Sequence, residues 1–259
     1  MSLITIDNEP FNYSRAGAPD APVLILSNSL GASNVMWKRQ LKALSQDFNV
    51  VTYDTRGHGQ SVKTTGPYTV AQLGQDVLNL MDKLGISRAA FCGISMGGMI
   101  GQWLGVHASD RLAKLVLCNT AAKIGTSEAW LTRAAQVREN GMGPIADTTP
   151  SRWFTQRYMD SGDTFITELL DGLRGTDAEG YAACCEALAH ADFREQLQQI
   201  QTPTLVIGGQ HDPVTTTDDA EVLAQGIPGA IVNNLDASHL SNVEASDAFN
   251  EAVLRFLKS

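Results

Sequence analysis

Basic residues are scarce in this chain: 19 Lys and Arg stand against 28 Asp and Glu, for a formal net charge of −9 and an isoelectric point near 5.0. Contact along a phosphate backbone needs the opposite balance, so nucleic acid is excluded as an expected partner. Cysteine is sparse as well. Four cysteines could form two disulfides, but Cys92 and Cys118 fall in apolar, strand-like runs and Cys184-Cys185 are adjacent. That spacing suits neither a zinc site nor a stapled small domain, so reduced structural thiols and no metal are expected. No apolar run approaches a membrane span, and Met1 to Asp7 lack the basic start and apolar core of a secretory leader. A cytoplasmic chain without a membrane partner is the expectation.

What is present is the composition of a globular α/β protein, with 43% hydrophobic and 18% charged residues over a length that one domain of this class can fill. Leu3 to Ile6 and Phe11 to Arg15, flanking Asn8-Glu9-Pro10, read as an antiparallel hairpin. Pro22 to Leu26 is a continuous apolar run, the mark of a strand covered on both faces, Ala89 to Cys92 is another apolar run, and Phe48 to Tyr53 and Leu112 to Cys118 read as further strands. Between them lie helical patterns from about Val35 to Leu44, from Val70 to Leu84 and from Met99 to His107. Leu73, Val77, Leu80, Met81 and Leu84 share one face of the second. This alternation predicts a mostly parallel sheet with helices on both faces and functional loops at the C-terminal strand ends. The rhythm breaks between Ala121 and Arg194, a helix-rich stretch without a buried strand, and resumes with Pro203 to Gly209. The pattern implies a core of 1–121 and 195–259 carrying a helical cap at 122–194, over the edge where the loops gather.

One short stretch concentrates the chemistry. Gly93, Ser95 and Gly97 form a G-x-S-x-G pattern between a strand and a helix, where glycines let the backbone bend tightly enough to expose the serine hydroxyl. A serine needs a base to take its proton, and the base needs an orienting group. Of five histidines, His58 lies in a glycine-rich turn, His107 at a helix end, His190 inside the insertion and His211 directly after a strand. His239, in the polar loop Asp236 to Asn242 between the last strand and last helix, is the expected base. Asp212, in a turn shaped by Pro213, is the expected acid, with Asp236 as its rival. The order Ser95, Asp212, His239 is that of α/β-hydrolases, which implies oxyanion donors at the amide of Met96 and in the loop Asn28 to Gly31, at Leu30.

With these residues placed, the chain resembles the α/β-hydrolase fold over nearly its full length, and more narrowly the 3-oxoadipate enol-lactonases. The closer resemblance rests on Asn28-Ser29-Leu30-Gly31, Tyr53 to Gly59, Pro67-Tyr68-Thr69, Cys92 to Trp103 and Asn119 to Gly125. It implies hydrolysis of a small anionic lactone, 3-oxoadipate enol-lactone, without metal or organic cofactor. It also implies that His58 is structural. An esterase, a perhydrolase or a carbon–carbon bond hydrolase would share the same triad, and a ligand receptor the same shell.

The lactone carries a carboxylate, which a buried site must meet with a cation or hydrogen bonds. Between Lys123 and Tyr158 five basic residues face three acidic ones, a local excess of positive charge in an acidic chain. Arg133 is the expected anchor, with Trp130 and Trp153 as indole donors or pocket walls.

Overall fold

A computed structural model of the chain describes residues 2–259, so Met1, the first residue of the expected core segment, lies outside the described residues. Strands β1 (Ser2–Ile6) and β2 (Glu9–Ala16) pair antiparallel across a two-residue turn. The turn is Asp7-Asn8, with φ of 50° and 68°, rather than Asn8 to Pro10; Glu9 and Pro10 already pair within β2. Positive φ is least costly for Asn and Asp after Gly, which places the turn on those two residues.

The remaining strands are β3 (Val23–Ser27), β4 (Asn49–Tyr53), β5 (Ala89–Ile94), β6 (Leu112–Cys118), β7 (Thr204–Gly209) and β8 (Ile231–Leu235). They run parallel to one another, and the eight strands form one sheet in the order β1-β2-β4-β3-β5-β6-β7-β8. Every residue of β4, β5 and β7 is buried, the polar Asn49, Thr52 and Thr204 included, as strands covered on both faces require. β3 pairs with β4 on one side and β5 on the other, so the chain moves outward and then returns past its starting strand. Reversal of strand order opens a crevice at the C-terminal ends of β3 and β5. Ser27 leads into Asn28 to Gly31 at one lip of it, and Ile94 into Ser95 at the other.

Helices α1 (Lys38–Leu44), α2 (Val70–Lys83) and α3 (Met96–His107) make the early crossovers. Thr69 accepts the amide of Gln72 at 3.1 Å to start α2, which buries Leu73, Val77, Leu80 and Met81. A 3-10 turn over Asn34–Trp37 precedes α1, and α3 begins at Met96, three residues before the apolar pattern suggests. Between β6 and β7 lie α4 (Ser127–Asn140), α5 (Gly143–Thr148), α6 (Pro150–Trp153), α7 (Gln156–Met159), α8 (Thr164–Arg174) and α9 (Ala178–His190). This helical insertion shares the core of the sheet: Trp130, Leu169, Leu173 and Tyr181 belong to the same apolar cluster as β3 and β5. It also touches the turn after β4, where a Cβ on Gly57 would lie 2.8 Å from the carbonyl oxygen of Gly180. The chain ends with α10 (Thr217–Gly226), α11 (Ser241–Glu244) and α12 (Ser246–Lys258). All four cysteines are free and buried, with Cys92 and Cys118 in contact across β5 and β6, their sulfurs 3.8 Å apart.

Candidate active site

The turn from β5 into α3 is among the tightest in the molecule. Ser95 has φ 57° and ψ −112°, a conformation that side chains other than hydrogen rarely adopt. Its glycines have steric reasons: a Cβ on Gly93 would stand 2.1 Å from the carbonyl oxygen of Gly97, and one on Gly97 would stand 2.3 Å from that of Ser27. The strained residue is pinned by its backbone. Its N–H donates to Cys118 at 2.9 Å and its carbonyl accepts from Thr120 Oγ1 at 2.8 Å. Ser95 follows directly into α3, so the amide of Met96, with no turn before it, is one of the helix's unpaired N-terminal donors.

Asp212 and His239 meet 27 positions apart in the chain. His239 Nδ1 donates to Asp212 Oδ2 at 2.8 Å, and the two side chains are 4% and 0% exposed. A buried carboxylate must be compensated. Asp212 receives five donors: His239 Nδ1, Thr215 Oγ1 and Asn119 Nδ2 on one oxygen, and the amides of Val214 and Thr215 on the other. Burial alone would raise its pKa, but the charge and hydrogen bond of His239, with the amide of Thr215 and Asn119, hold it below the ordinary carboxylate value. The rival acid stands elsewhere. Asp236 is exposed, pairs with His211 at 2.7 Å and Arg157 at 3.1 Å, and its pKa is lowered first by the bond from His211 and then by that from Arg157.

Asn119 is the member of this assembly that sequence pattern did not single out as functional. At the end of β6, with φ of 43°, it donates to Asp212 at 3.0 Å and to the carbonyl of Ser238 at 3.2 Å, and accepts from Ser241 Oγ at 2.5 Å. Its side chain thus touches the acid and both flanks of His239. A buried Asn at a strand end beside Thr120 was the available signal.

Ser95 and His239 line one cavity of about 320 Å³, which also contains Leu30 and is walled by residues of the insertion. Met96 is buried behind Ser95. Leu30 sits in a loop held by His58, whose Nε2 accepts the amide of the next residue, Gly31, at 2.8 Å. Trp130, Trp153, Arg133 and Arg152 all face the cavity. Trp130 is a wall and not a donor to it, because its indole N–H is spent on the carbonyl of Ile124 at 2.5 Å. Arg133 stacks over the Trp130 ring, 4.9 Å from its centroid.

The local positive charge noted in the sequence divides into two classes. Lys123, Arg138 and Arg157 each pair with carboxylates. Arg133 and Arg152 make no such pair among the described residues and share the cavity. Partial burial, and then the neighbouring charge of Arg133, lower the pKa of Arg152. Sequence pattern puts Arg133 first among the five basic residues of this region and does not separate Arg152 from the rest. Among the described residues no group of three or more His, Cys, Asp or Glu is arranged to hold a metal ion, and no helix is long and apolar enough to cross a membrane.

Residues 22–169 match a family model described as alpha/beta hydrolase fold, and residues 177–259 match one described as TAP-like protein. The chain is 48% identical over 255 residues to 3-oxoadipate enol-lactonase 2 of Acinetobacter baylyi, covering 98% of this chain and 96% of that protein. Among solved structures, the enol-lactonase from Burkholderia xenovorans LB400 superposes with a TM-score of 0.98 at 45% identity, covering 100% of both chains. A thermophilic esterase from Thermogutta terrifontis, solved with malate bound, superposes with a TM-score of 0.92 at 27% identity, covering 99% of this chain and 97% of that one. The chain therefore belongs to the alpha/beta hydrolase fold family and stands within it beside the 3-oxoadipate enol-lactonases.

Proposed function

We propose that this protein hydrolyses the ester bond of 3-oxoadipate enol-lactone to give 3-oxoadipate, with Ser95 as nucleophile, His239 as base and Asp212 as its orienting acid. The observation that carries this reading is the meeting, in one cavity, of a strained serine, a histidine held by a buried aspartate, and two arginines without carboxylate partners. Relatives named as enol-lactonases support the choice of lactone. The insertion at 122–194 serves as the cap that supplies the recognition groups.

With Nδ1 committed to Asp212, His239 has Nε2 left to accept the Ser95 hydroxyl proton. Ser95 Oγ attacks the lactone carbonyl, and the amides of Leu30 and Met96 take the negative charge that forms on its oxygen. Collapse breaks the ring C–O bond and expels an enolate, a better leaving group than an alkoxide, so little acid help is needed. The ring opens while its carbon chain stays esterified to Ser95. The proton that His239 took from Ser95 passes to the departing enolate oxygen, giving the enol and a neutral His239. His239 then takes a proton from water as the water oxygen attacks the acyl carbon, and returns it to Ser95 Oγ as that ester bond breaks. The new carboxylic acid ionises, and the enol tautomerises to the ketone. Arg133 anchors the carboxylate that the ring bears, with Trp130 and Trp153 as flanking walls, and Arg152 is placed to share that charge.

Loss of the enol-lactone's ultraviolet absorbance with purified protein, followed beside a neutral aryl ester, tests the reading. Efficient turnover of the lactone is expected. Efficient turnover of the aryl ester without the lactone would overturn the substrate and leave the family standing.

A further inference from the structure

The loop that carries His239 is tied to one segment of the insertion on both sides of the histidine. Before it, the Ser238 hydroxyl shares its proton between the carbonyls of Arg152 and His211, each 3.3 Å away; after it, the amide of Leu240 donates to the carbonyl of Trp153 at 3.0 Å. Glu244, at the end of α11, closes the junction. Its carboxylate accepts the amide of Thr155 at 3.1 Å and the amide of Ser238 at 3.1 Å, and also the hydroxyl of Thr155. All of these donors belong to the two segments that Glu244 joins, and it makes no ion pair among the described residues. Arg152 and Trp153, in the joined segment, are walls of the cavity that His239 also lines.

We infer that Glu244 is a positioning residue that fixes the His239 loop in register with the substrate-facing segment 152–155. The inference rests on the proposed roles of His239 as base and of Arg152 and Trp153 as substrate-facing groups. A carboxylate suits the task because it only accepts, with two oxygens open to several donors at once. Ser238 and Thr155 both present N–H groups at this point, so they need an acceptor between them in addition to the backbone bond from Leu240 to Trp153. Moving Glu244 would therefore disturb two things together, the alignment of the base and the position of the wall that meets the substrate's carboxylate.

The test uses Glu244→Gln, Thr155→Val and Thr155→Ser in the full chain, with Glu168→Gln as a control. Glu168 pairs with Lys38 between the insertion and the core, in an exposed contact that shares no partner with Glu244. Glu244→Gln removes the charge that the three donors share and puts an NH2 group where one oxygen stood, so at least the bond from the Thr155 hydroxyl is reversed or lost. It is expected to lower kcat on the enol-lactone about tenfold and to raise KM severalfold. On the neutral aryl ester it is expected to lower kcat by a similar factor with KM unchanged. The rate at which a fluorophosphonate labels Ser95, which depends on the Ser95–His239 alignment and on no carboxylate, is expected to fall in parallel. Thr155→Val removes the hydroxyl from Glu244 and also from the amide of Tyr158, whose N–H it accepts at 3.2 Å, so it should lose part of this activity, and Thr155→Ser should retain it. The loss in Glu244→Gln with Thr155→Val should be smaller than the two single losses combined. Glu168→Gln should leave all these rates unchanged. Retention of parental rates by Glu244→Gln, additive losses in the double variant, or equal losses in Glu168→Gln would overturn the inference. Failure of the proposed function would show instead in the parent protein, as an absence of lactone turnover, with the ratio of variant to parent labelling still reading the role of Glu244.

Discussion

The amide of Gly31 donates to Nε2 of His58 across 2.8 Å, which fixes the buried imidazole as the neutral tautomer with its proton on Nδ1, facing the carbonyl of Arg56 at 3.3 Å. Gly31 follows Leu30, a proposed oxyanion donor, so His58 braces that donor's loop from behind. His58→Phe leaves a buried N–H unpaired and is expected to cost about 1–3 kcal/mol of stability and to lower kcat. His58→Gln keeps an acceptor and should lose less. Burial lowers the pKa of His58 below its ordinary value. The unfolded chain thus takes up this proton first as pH falls, and the contribution of His58 to stability is full above about pH 6.5 and declines below it. Melting temperatures from pH 7.5 to 5 check the sign: the difference between the parent and His58→Gln should narrow toward acid pH, and a widening difference would refute it.

Ser95 starts α3 at φ 57° and ψ −112°, and its side chain makes no capping bond to the helix. The strain is worth about 1–3 kcal/mol, and glycine removes it at an entropic cost of about 0.5–1 kcal/mol. Ser95→Gly is therefore expected to abolish lactone turnover while raising the melting temperature. A lowered melting temperature by calorimetry would show that the hydroxyl stabilises the native state and that the strain is not stored there.

The elbow was legible because its geometry leaves a chemical trace: where a Cβ would strike a carbonyl oxygen, only glycine survives, at Gly93 and Gly97. The parallel strands were legible because burial on both faces demands mostly apolar runs. Choosing Asp212 over Asp236 needed three dimensions for its physical reason. Both lie near His239 by some measure of sequence, and only the fold puts one in a nest of donors and the other in solvent against His211 and Arg157. The roles of Asn119 and Glu244 are not legible in sequence, because Asp212 lies 93 positions from Asn119 and Thr155 lies 89 from Glu244, and the residue types alone carry no period or motif. Of the two expectations for Trp130, indole donor or pocket wall, its bond to the carbonyl of Ile124 leaves the wall; a backbone acceptor is something no side-chain pattern announces.

Arg133 and Arg152 face the same cavity without carboxylate partners among the described residues, which suits them to the carboxylate of the proposed lactone substrate. A hydrogen bond to a charged group is worth about 1.5–3 kcal/mol, and each 1.4 kcal/mol is about tenfold in affinity. Arg133→Gln and Arg152→Gln are each expected to raise KM for the enol-lactone at least tenfold and to leave KM for a neutral aryl ester unchanged. Steady-state kinetics on the two substrates decide it. An unchanged KM for the lactone in Arg133→Gln, with a raised one in Arg152→Gln, would move the anchor to Arg152 alone.

Asp212 and Asp236 offer the sharpest contrast between two carboxylates close to one histidine loop. Asp212→Asn keeps the shape of the side chain but removes the charge that holds the Nδ1–H tautomer of His239. A loss of about ten-thousand-fold in kcat is the expected scale when an orienting aspartate is so replaced. Asp236→Asn breaks only exposed contacts to His211 and Arg157 and should retain turnover close to the parent. Because its partners hold the Asp212 pKa below the ordinary carboxylate value, its contribution to stability is present above about pH 3.9 and is lost as pH falls further. The parent should therefore lose its stability advantage over Asp212→Asn on acidification below that point. Full activity in Asp212→Asn, or a large loss in Asp236→Asn, would transfer the orienting role to Asp236 and would require the His239 loop to turn outward from the cavity it lines.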